Sequence, residues 1–331
     1  MKIFMCPVCG EDLFFNNLAC SCGVDVAYDL QSQSFVYVGR HCANRNNIEC
    51  NWLASTDVDL CDSCRMTTVH PDLAVPDNTL LWAKAERYKR WALVGLHRWG
   101  WFDALDTGGR PEFHMLSEAT STGLTDVTMG HASGLVTINL AEADDVERVR
   151  RREEHGEPYR TMIGHFRHEI AHFLFERLAV SDDFHKSFRA LFGDETKDYG
   201  AALAQHYEAG PPAAWQSAYI SAYASAHPHE DWAEIAAHAL HLADMVDSFT
   251  AAQLSLPVAS EPEYDAYAED DASRLLGIGL GVGIALNHVN RAMGVPDLYP
   301  FVTPPMVINK LEFAHSWLKA APRCKPVQSA K

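Results

Sequence analysis

The sequence predicts an α+β protein in which a small β-rich module precedes a larger, mainly helical domain with a small sheet. Eight of the nine cysteines lie between Cys6 and Cys64 and define the module. After it, apolar residues recur at helical spacing in several long segments, and one segment near residue 136 alternates apolar and polar side chains. A chain of 331 residues suits two units, because single cores stop growing at about 250–300 residues. We predict a module at residues 1–75 and a domain at residues 76–331.

The overall composition indicates a folded protein that does not bind nucleic acid. Apolar residues make up 47% and charged residues 21% of the chain, as in ordinary globular proteins. The formal net charge of -17 disfavours binding to phosphate backbones, which requires a basic surface. The first residues, MKIFMCPVCG, lack the apolar stretch of a secretory signal. The most apolar run, residues 275–286, is shorter than the roughly twenty residues of a membrane span, so we expect a buried helix there. The predicted location is cytoplasmic, without a membrane partner.

The cysteines of the module are spaced as ligands for two zinc ions. The segments Cys6-Pro-Val-Cys9 and Cys61-Asp-Ser-Cys64 are zinc knuckles, in which two thiolates separated by two residues hold one tetrahedral ion. Because so short a segment has too small a core to fold alone, we expect zinc to supply the missing folding free energy. The module is predicted to be a double zinc ribbon. Taken in sequence order, its ligand sets are Cys6, Cys9, Cys20 and Cys22, then Cys42, Cys50, Cys61 and Cys64.

Several alternatives for this module stay open. The cysteines could pair in an interleaved order, or His41 could replace Cys42. Four disulfides are a further alternative, although no secretion signal provides the oxidising compartment that they need. Some zinc ribbons bind nucleic acids, but this module holds more acidic than basic residues, which favours a structural role or the docking of a protein partner. Cys324 is expected to be an ordinary buried or tail thiol.

The larger domain begins after a polar stretch that contains Pro71 and Pro76. Apolar residues at helical spacing predict an amphipathic helix at residues 80–99. Alternation at residues 135–140 predicts a strand, and the charged run at residues 144–158 is expected to be a solvated helix face or loop. Further helices are predicted at residues 163–177, at residues 228–245, and as two helices from about residue 271 that are separated near residues 294–296.

The segment His168-Glu169-Ile-Ala-His172 matches the HExxH pattern of zinc hydrolases. It lies within the predicted helix at residues 163–177, where residues four apart share one face. Both imidazoles can therefore bind one zinc ion. Glu169 is expected to take a proton from metal-activated water and to deliver it to the leaving amine.

A catalytic zinc keeps three protein ligands and one open position, so a third ligand is needed. The segment His227-Pro-His-Glu230-Asp-Trp-Ala-Glu234 offers two carboxylates four residues apart at the start of a helix. We assign Glu230 as the ligand and Glu234 as the acceptor that orients a zinc-binding imidazole. Reversed roles, and a plain acidic first turn favoured by the helix dipole, stay open. Three further histidines are not expected to bind this metal: His165, His238 and His241.

Four segments, GHFRHEIAH, DYGAALAQHYEAGPPAAW, HPHEDWAE and MGVPDLYPF, resemble the family of zinc-binding metallopeptidases with an N-terminal zinc ribbon. The resemblance extends over essentially the whole chain. It implies a gluzincin-like metallopeptidase domain, with zinc bound by the two histidines of HExxH and a glutamate on a later helix. Gluzincins that resemble lethal-factor peptidases have a tyrosine seven residues before that glutamate, here Tyr223. The resemblance also implies that the strand at residues 135–140 is the rim along which an extended substrate lies. His229 departs from the family, where a bulky aromatic residue is expected.

These patterns predict a zinc-dependent peptidase, an endopeptidase by preference, with one catalytic and two structural zinc ions and a peptide or protein substrate. Tyr223 is expected to donate a hydrogen bond to the oxyanion of the scissile carbonyl, with Tyr219 and His227, each four residues away, as alternatives. The competing function is a protein-binding adaptor whose ribbons dock a partner and whose HExxH zinc is structural, but such a site has no use for Glu169. An exopeptidase would need another acidic group for the substrate amine, for which Asp231 is the candidate.

Overall fold

The computed structural model describes residues 1–37, 39–55, 58–155, 157, 159–256 and 264–320. The chain divides into two compact units. The first comprises Met1–Leu105 and Gly109–Phe166, and the second comprises Asp106–Gly108 and the residues from Arg167 onward. Small sheets near the N-terminus and a mostly helical C-terminal part confirm the predicted α+β fold. The predicted boundary between residues 75 and 76 falls within the first unit and stays a prediction. Cys324 lies outside the described residues.

The first unit begins with two short hairpins. Strand β1 (Phe4–Met5) pairs with β2 (Asp12–Leu13), and β3 (Ala27–Asp29) pairs with β4 (Ser34–Val36), both antiparallel. Aromatic rings fill the space between the hairpins, because the ring of Phe4 meets those of Tyr28 and Phe35 edge to face at 5.5 and 5.4 Å between centroids. Two one-turn helices follow, α1 (Arg45–Ile48) and α2 (Asp62–Arg65).

The main sheet of the first unit has four strands. They are β5 (Thr67–Val69), β6 (Glu112–Leu116), β9 (Gly130–Ala132) and β10 (Leu135–Asn139), in the order β5-β6-β10-β9. A separate hairpin joins β7 (Ala119–Thr120) and β8 (Gly123–Leu124). Strand β10 corresponds to the strand predicted from alternation, and its apolar side chains Val136 and Ile138 are fully buried.

The position of β10 inside the sheet limits its use as a rim. It runs parallel to β6 along its whole length, and β9 pairs antiparallel with it at Leu135, Val136 and Thr137. An added peptide strand would therefore meet β9 along most of β10. The substrate rim that the resemblance implies at residues 135–140 stays a prediction, but residues 135–137 already have strand partners on both sides and leave no free edge for an added strand.

Two longer helices complete the first unit. Helix α3 (Pro76–Arg98) has 23 residues and begins with a proline, which suits the first turn because its missing N–H has no partner there in any case. Its side chains Glu86 and Lys89 form a fully buried ion pair at 2.9 Å. Helix α4 (Asp145–His155) carries the charged run, and its arginines pair with glutamates of the same helix, as Arg150 does with Glu147 and Glu154. A 3-10 turn at Leu140–Ala143 precedes α4.

Helix α5 (Met162–Leu178) starts in the first unit and continues in the second from Arg167. The second unit then adds helices α6 (Asp182–Phe192), α7 (Tyr199–Ala209), α8 (Pro228–Ala251), α9 (Ala272–Ala292) and α10 (Pro305–Ala320). Two 3-10 turns lie between α7 and α8, at Trp215–Ser217 and Tyr223–Ser225. Helix α8 is the centre of this unit, packing against α6, α9 and α10. The fully buried Trp232 on α8 meets Phe184 of α6 and Phe313 of α10 edge to face.

Helix α9 differs from the buried helix that its apolar run predicts. One face, with Leu275, Leu276 and Val282, is buried, and Gly279 allows close packing because a Cβ there would lie 3.1 Å from Leu242. The other face is exposed, and Ile284 is 71% accessible. Among the described residues, α9 is the one helix whose length and composition suffice to cross a membrane, a criterion that core helices of soluble proteins also meet.

Candidate metal centre

Two helices of the second unit bring the predicted ligands together. On α5, Phe166, Ile170 and Leu174 are fully buried and fix which face of the helix points into the protein. His168 and His172 lie one turn apart on a neighbouring face, which follows from their spacing of four. Between them, the backbone oxygen of Ala171 accepts a hydrogen bond at 2.8 Å from Nε1 of Trp232 on α8. This bond ties the start of α8 to the histidine turn of α5.

The donor atoms of His168, His172 and Glu230 form a compact group that could hold a metal ion. Nε2 of His168 lies 3.2 Å from Nε2 of His172 and 3.0 Å from Oε2 of Glu230. Oε1 of Glu230 lies 3.5 Å from Nε2 of His172. Tetrahedral zinc with N and O ligands at 2.0–2.2 Å separates those ligands by about 3.3–3.5 Å. Two imidazoles and one carboxylate at these distances therefore fit zinc in both chemistry and size.

Glu234 lies one turn after Glu230 on α8 and contacts the other nitrogen of the same ring. Nδ1 of His168 donates to Oε1 of Glu234 at 2.8 Å, and the Ser221 hydroxyl donates to Oε2 at 2.8 Å. A proton held on Nδ1 leaves Nε2 free to bind a metal. This contact is the one that the predicted role of Glu234 requires.

The electrostatics of the group favour a cation among the ligands. Burial alone would lower the pKa of His168, but its hydrogen bonds to Glu230 and Glu234 raise that pKa well above the usual range. Burial would raise the pKa of Glu230, but the hydrogen bonds and charges of His168 and His172 hold it well below the usual range. The carboxylate of Glu230, which is 1% exposed, is therefore ionised and needs positive partners.

Glu169 is buried next to His168, with 7% of its surface exposed. In the part of the chain that the structure describes, its Oε2 has no hydrogen-bond partner. The charge of Glu169 contributes to the raised pKa of both Tyr199 and Tyr223.

The eight N-terminal cysteines form two groups in the sequential order. In the first, Sγ of Cys9 lies 3.5 Å from Sγ of Cys20, and Cys6 lies 4.0 Å from Cys22. In the second, Sγ of Cys50 lies 3.6 Å from Cys61 and 3.7 Å from Cys64. Zinc–sulfur bonds of 2.3 Å place tetrahedral thiolates about 3.8 Å apart, whereas a disulfide needs about 2.05 Å. Both groups fit zinc ribbons, and the second includes Cys42 rather than His41.

Residues 78–317 match a profile of the family described as "putative zinc-binding metallo-peptidase". The chain belongs to this family. Two relatives, from Mycobacterium bovis and Mycobacterium tuberculosis, are both named as uncharacterized proteins. Each is 39% identical to this metallopeptidase-family chain over 345 residues, and the match covers 100% of this chain and 99% of the relative. No solved structure matches it. The resemblance to a zinc-binding metallopeptidase family with an N-terminal ribbon is thereby confirmed.

Within this metallopeptidase-family chain, Tyr223 lies beside the candidate centre. Its ring centroid is 6.1 Å from that of His168, and burial, followed by the charge of Glu230, raises the pKa of its phenol. The alternatives have other partners. Tyr219 lies under the ammonium of Lys310, with 4.4 Å from Nζ to the ring centroid. His227 caps α8, accepting from the backbone N–H of His229 at Nδ1 and contacting the Lys197 oxygen through Nε2.

His229 packs against another aromatic ring, as a bulky aromatic residue would. Its ring centroid lies 4.6 Å from that of Phe175, and burial lowers its pKa to about 4, so the imidazole is neutral at pH 7. A neutral ring in this position accounts for the departure from the bulky aromatic residue expected in the family.

The other polar residues that the sequence analysis considered have partners outside the ligand group. Asp231 is fully buried and its Oδ2 accepts from Nζ of Lys310 at 2.5 Å, so its carboxylate already has a cationic partner. His165 lies 3.3 Å from Glu142. His238 contacts the hydroxyl of Tyr299 at 2.9 Å, and His241 contacts Arg167.

Among the residues that sequence reasoning missed is Tyr199, which contacts a predicted metal ligand directly. The hydroxyl of Tyr199, the first residue of α7, donates to Oε1 of Glu230 at 2.5 Å. Asp198 before it is a helix cap whose carboxylate accepts from the backbone N–H of Ala201 at 2.8 Å, and this cap was readable from the sequence. The contact with Glu230, 31 residues further on, was not readable, because it depends on how α7 and α8 pack.

Proposed function

We propose that this protein is a zinc-dependent endopeptidase that hydrolyses peptide bonds with Glu169 as general base. The supporting observation is the buried carboxylate of Glu169, whose Oε2 has no hydrogen-bond partner among the described residues. A buried polar group without a partner destabilises the folded state, so its presence beside a metal-binding group favours a chemical task.

The residues of the centre divide the work among them. Zinc held by His168, His172 and Glu230 would supply a Lewis acid that polarises the scissile carbonyl and lowers the pKa of water to about 7. Glu169 accepts the proton of the attacking water and then gives it to the leaving amine. Tyr223 donates a hydrogen bond to the developing oxyanion.

The proposal includes three zinc ions per chain, one catalytic and two in the ribbons, and action in the cytoplasm on peptide or protein substrates. An adaptor with a structural zinc would have no task for Glu169 and would be expected to pair or expose it. Endopeptidase action is favoured over exopeptidase action because Asp231, the candidate anchor for a substrate amine, is bound by Lys310. The ribbon module is proposed to dock a protein partner.

The proposal is tested by identifying new N-termini after incubation of the protein with a denatured cytosolic proteome. We expect the parent to cut at internal sites and Glu169→Gln to retain zinc while losing about two to four orders of magnitude in rate, the usual effect of removing a general base. Glu176→Gln, at an exposed position on the same helix, is the matched control and should cut at the parent rate. Cleavage by Glu169→Gln at the parent rate would overturn the mechanism.

A further inference from the structure

We propose that Tyr199 is a positioning residue for the metal ligand, holding the carboxylate of Glu230 in place through a hydrogen bond to Oε1. This inference rests on the zinc site of the proposed function and assigns a task to a residue outside the HExxH motif. Its basis is the set of contacts that the two oxygens of Glu230 make.

Each oxygen of Glu230 has protein partners. Oε1 accepts from the Tyr199 hydroxyl at 2.5 Å and lies 3.5 Å from Nε2 of His172, whereas Oε2 lies 3.0 Å from Nε2 of His168. Tyr199 is thus a partner of the carboxylate that lies outside the ligand group. Because Glu230 is 1% exposed, a lost protein partner is poorly replaced by water. Without the Tyr199 hydroxyl, the carboxylate would be free to rotate, and its distances to His168 and His172 would change.

The ring of Tyr199 is itself held in place. It meets the ring of His227 edge to face at 5.2 Å between centroids, and it is tilted against the ring of His229 at 6.5 Å. These two histidines flank Pro228 at the start of α8, within one turn of Glu230. The first turn of α8 therefore positions both the ring of Tyr199 and the carboxylate that it contacts.

The hydrogen bond from the Tyr199 hydroxyl to the Glu230 carboxylate is short, at 2.5 Å. A hydroxyl that donates to a carboxylate forms a charge-assisted hydrogen bond, which is shorter and stronger than a bond between neutral groups.

Tyr207 on the same helix provides a matched control. It is 73% exposed, so Tyr207→Phe removes the same hydroxyl from the same helix without touching Glu230. Both variants are made in the full-length protein. The zinc affinity of the site at His168, His172 and Glu230 is measured by competition with a chelator. We expect Tyr199→Phe to weaken zinc binding about 10–100-fold, the usual effect of removing a hydrogen bond to a ligand, and Tyr207→Phe to leave it unchanged.

A spectroscopic measurement separates positioning from general stability. The site at His168, His172 and Glu230 is emptied by chelation and refilled with cobalt(II), whose visible absorption reports the coordination number of the ion. Tyr199→Phe should change this spectrum while its melting temperature stays that of the parent. Parent-like affinity and spectrum in Tyr199→Phe would overturn the proposal for this residue alone. If Glu230→Ala also kept parent affinity, the zinc site itself would be wrong, so the two failures are distinguishable without any measurement of hydrolysis.

Discussion

Glu234 accepts a hydrogen bond from Nδ1 of His168 at 2.8 Å, on the opposite side of the ring from Nε2, which lies 3.0 Å from Glu230. One imidazole is thus held between two carboxylates from successive turns of α8. The two glutamates differ in their other contacts, since Glu230 also approaches His172, whereas Glu234 is bound by Ser221. This difference favours Glu230 as the ligand.

The two glutamates should give separable phenotypes on substitution. Glu230→Ala removes a ligand and should abolish zinc binding at this site, because two imidazoles alone leave the ion undercoordinated. Glu234→Ala removes only the acceptor for Nδ1 of His168 and should weaken zinc affinity about 10–100-fold. Competition with a chromogenic chelator measures both. An exchange of the two phenotypes would exchange the two roles.

Tyr223→Phe should slow hydrolysis without removing zinc. The loss of one oxyanion donor typically costs about 2.7–4 kcal/mol in the transition state, which is a decrease of about 100-fold or more in kcat. KM, zinc content and melting temperature should change little, because the ring is retained. Steady-state kinetics on a peptide substrate with metal analysis provides the measurement. A lower melting temperature with unchanged kcat would assign Tyr223 to the core, and Tyr219 and His227 would then be tested.

The full-length protein should contain three zinc ions when it is purified without chelator. Mild chelation should remove one ion first, because sites of four cysteines are closed whereas a catalytic site keeps an open position. Metal analysis before and after chelation, with thiol titration, measures the stoichiometry. A content near one, with the cysteines oxidised to disulfides, would contradict the double ribbon.

Acid should destabilise the protein partly through His238. Burial lowers the pKa of this histidine to about 4 in the folded protein, against about 6.5 in the unfolded chain. As the pH falls through this window the unfolded chain binds a proton that the folded protein does not, so the free energy of unfolding decreases. At pH 5, which is about 1.5 pH units below the pKa of histidine in the unfolded chain, the free energy of unfolding has decreased by about 2 kcal/mol.

Denaturant unfolding of the parent and of His238→Gln at pH 7.5 and pH 5 isolates this contribution. Glutamine does not titrate, so the variant should lose less stability on acidification than the parent. Because the metal sites titrate in both proteins, the comparison cancels their effect. Equal losses in the two proteins would mean that His238 does not carry the acid sensitivity.

The parts of this molecule that local spacing determines were predictable. The period of α5 puts His168 and His172 on one face, and the same period separates Glu230 from Glu234 by one turn of α8. Each cysteine knuckle likewise predicts that its own two sulfur atoms meet, whereas the grouping of the knuckles with the other cysteines was left open. In each case a short-range pattern suffices, because the helix or turn itself sets the distance.

What the sequence did not reveal depends on contacts between distant segments. The contact of Tyr199 with Glu230 joins α7 to α8, and no period relates the two residues. The inner position of β10 follows from β9 folding back on it, not from the alternation of its side chains. The exposed face of α9 carries Ile284, a residue that hydropathy alone assigns to the core.

Helix α7 has no buried residue, although its first residue contacts a metal ligand. Helices that bury little apolar surface open at a low free-energy cost, well before the rest of a unit unfolds. The amides of α7 should therefore exchange with deuterium much sooner than those of α8, which buries most of its length. Gly193 and Gly210, both at positive φ, bound this segment and can absorb the backbone rotation. Local opening of α7 would thus separate Tyr199 from Glu230 while the core of the unit stays folded.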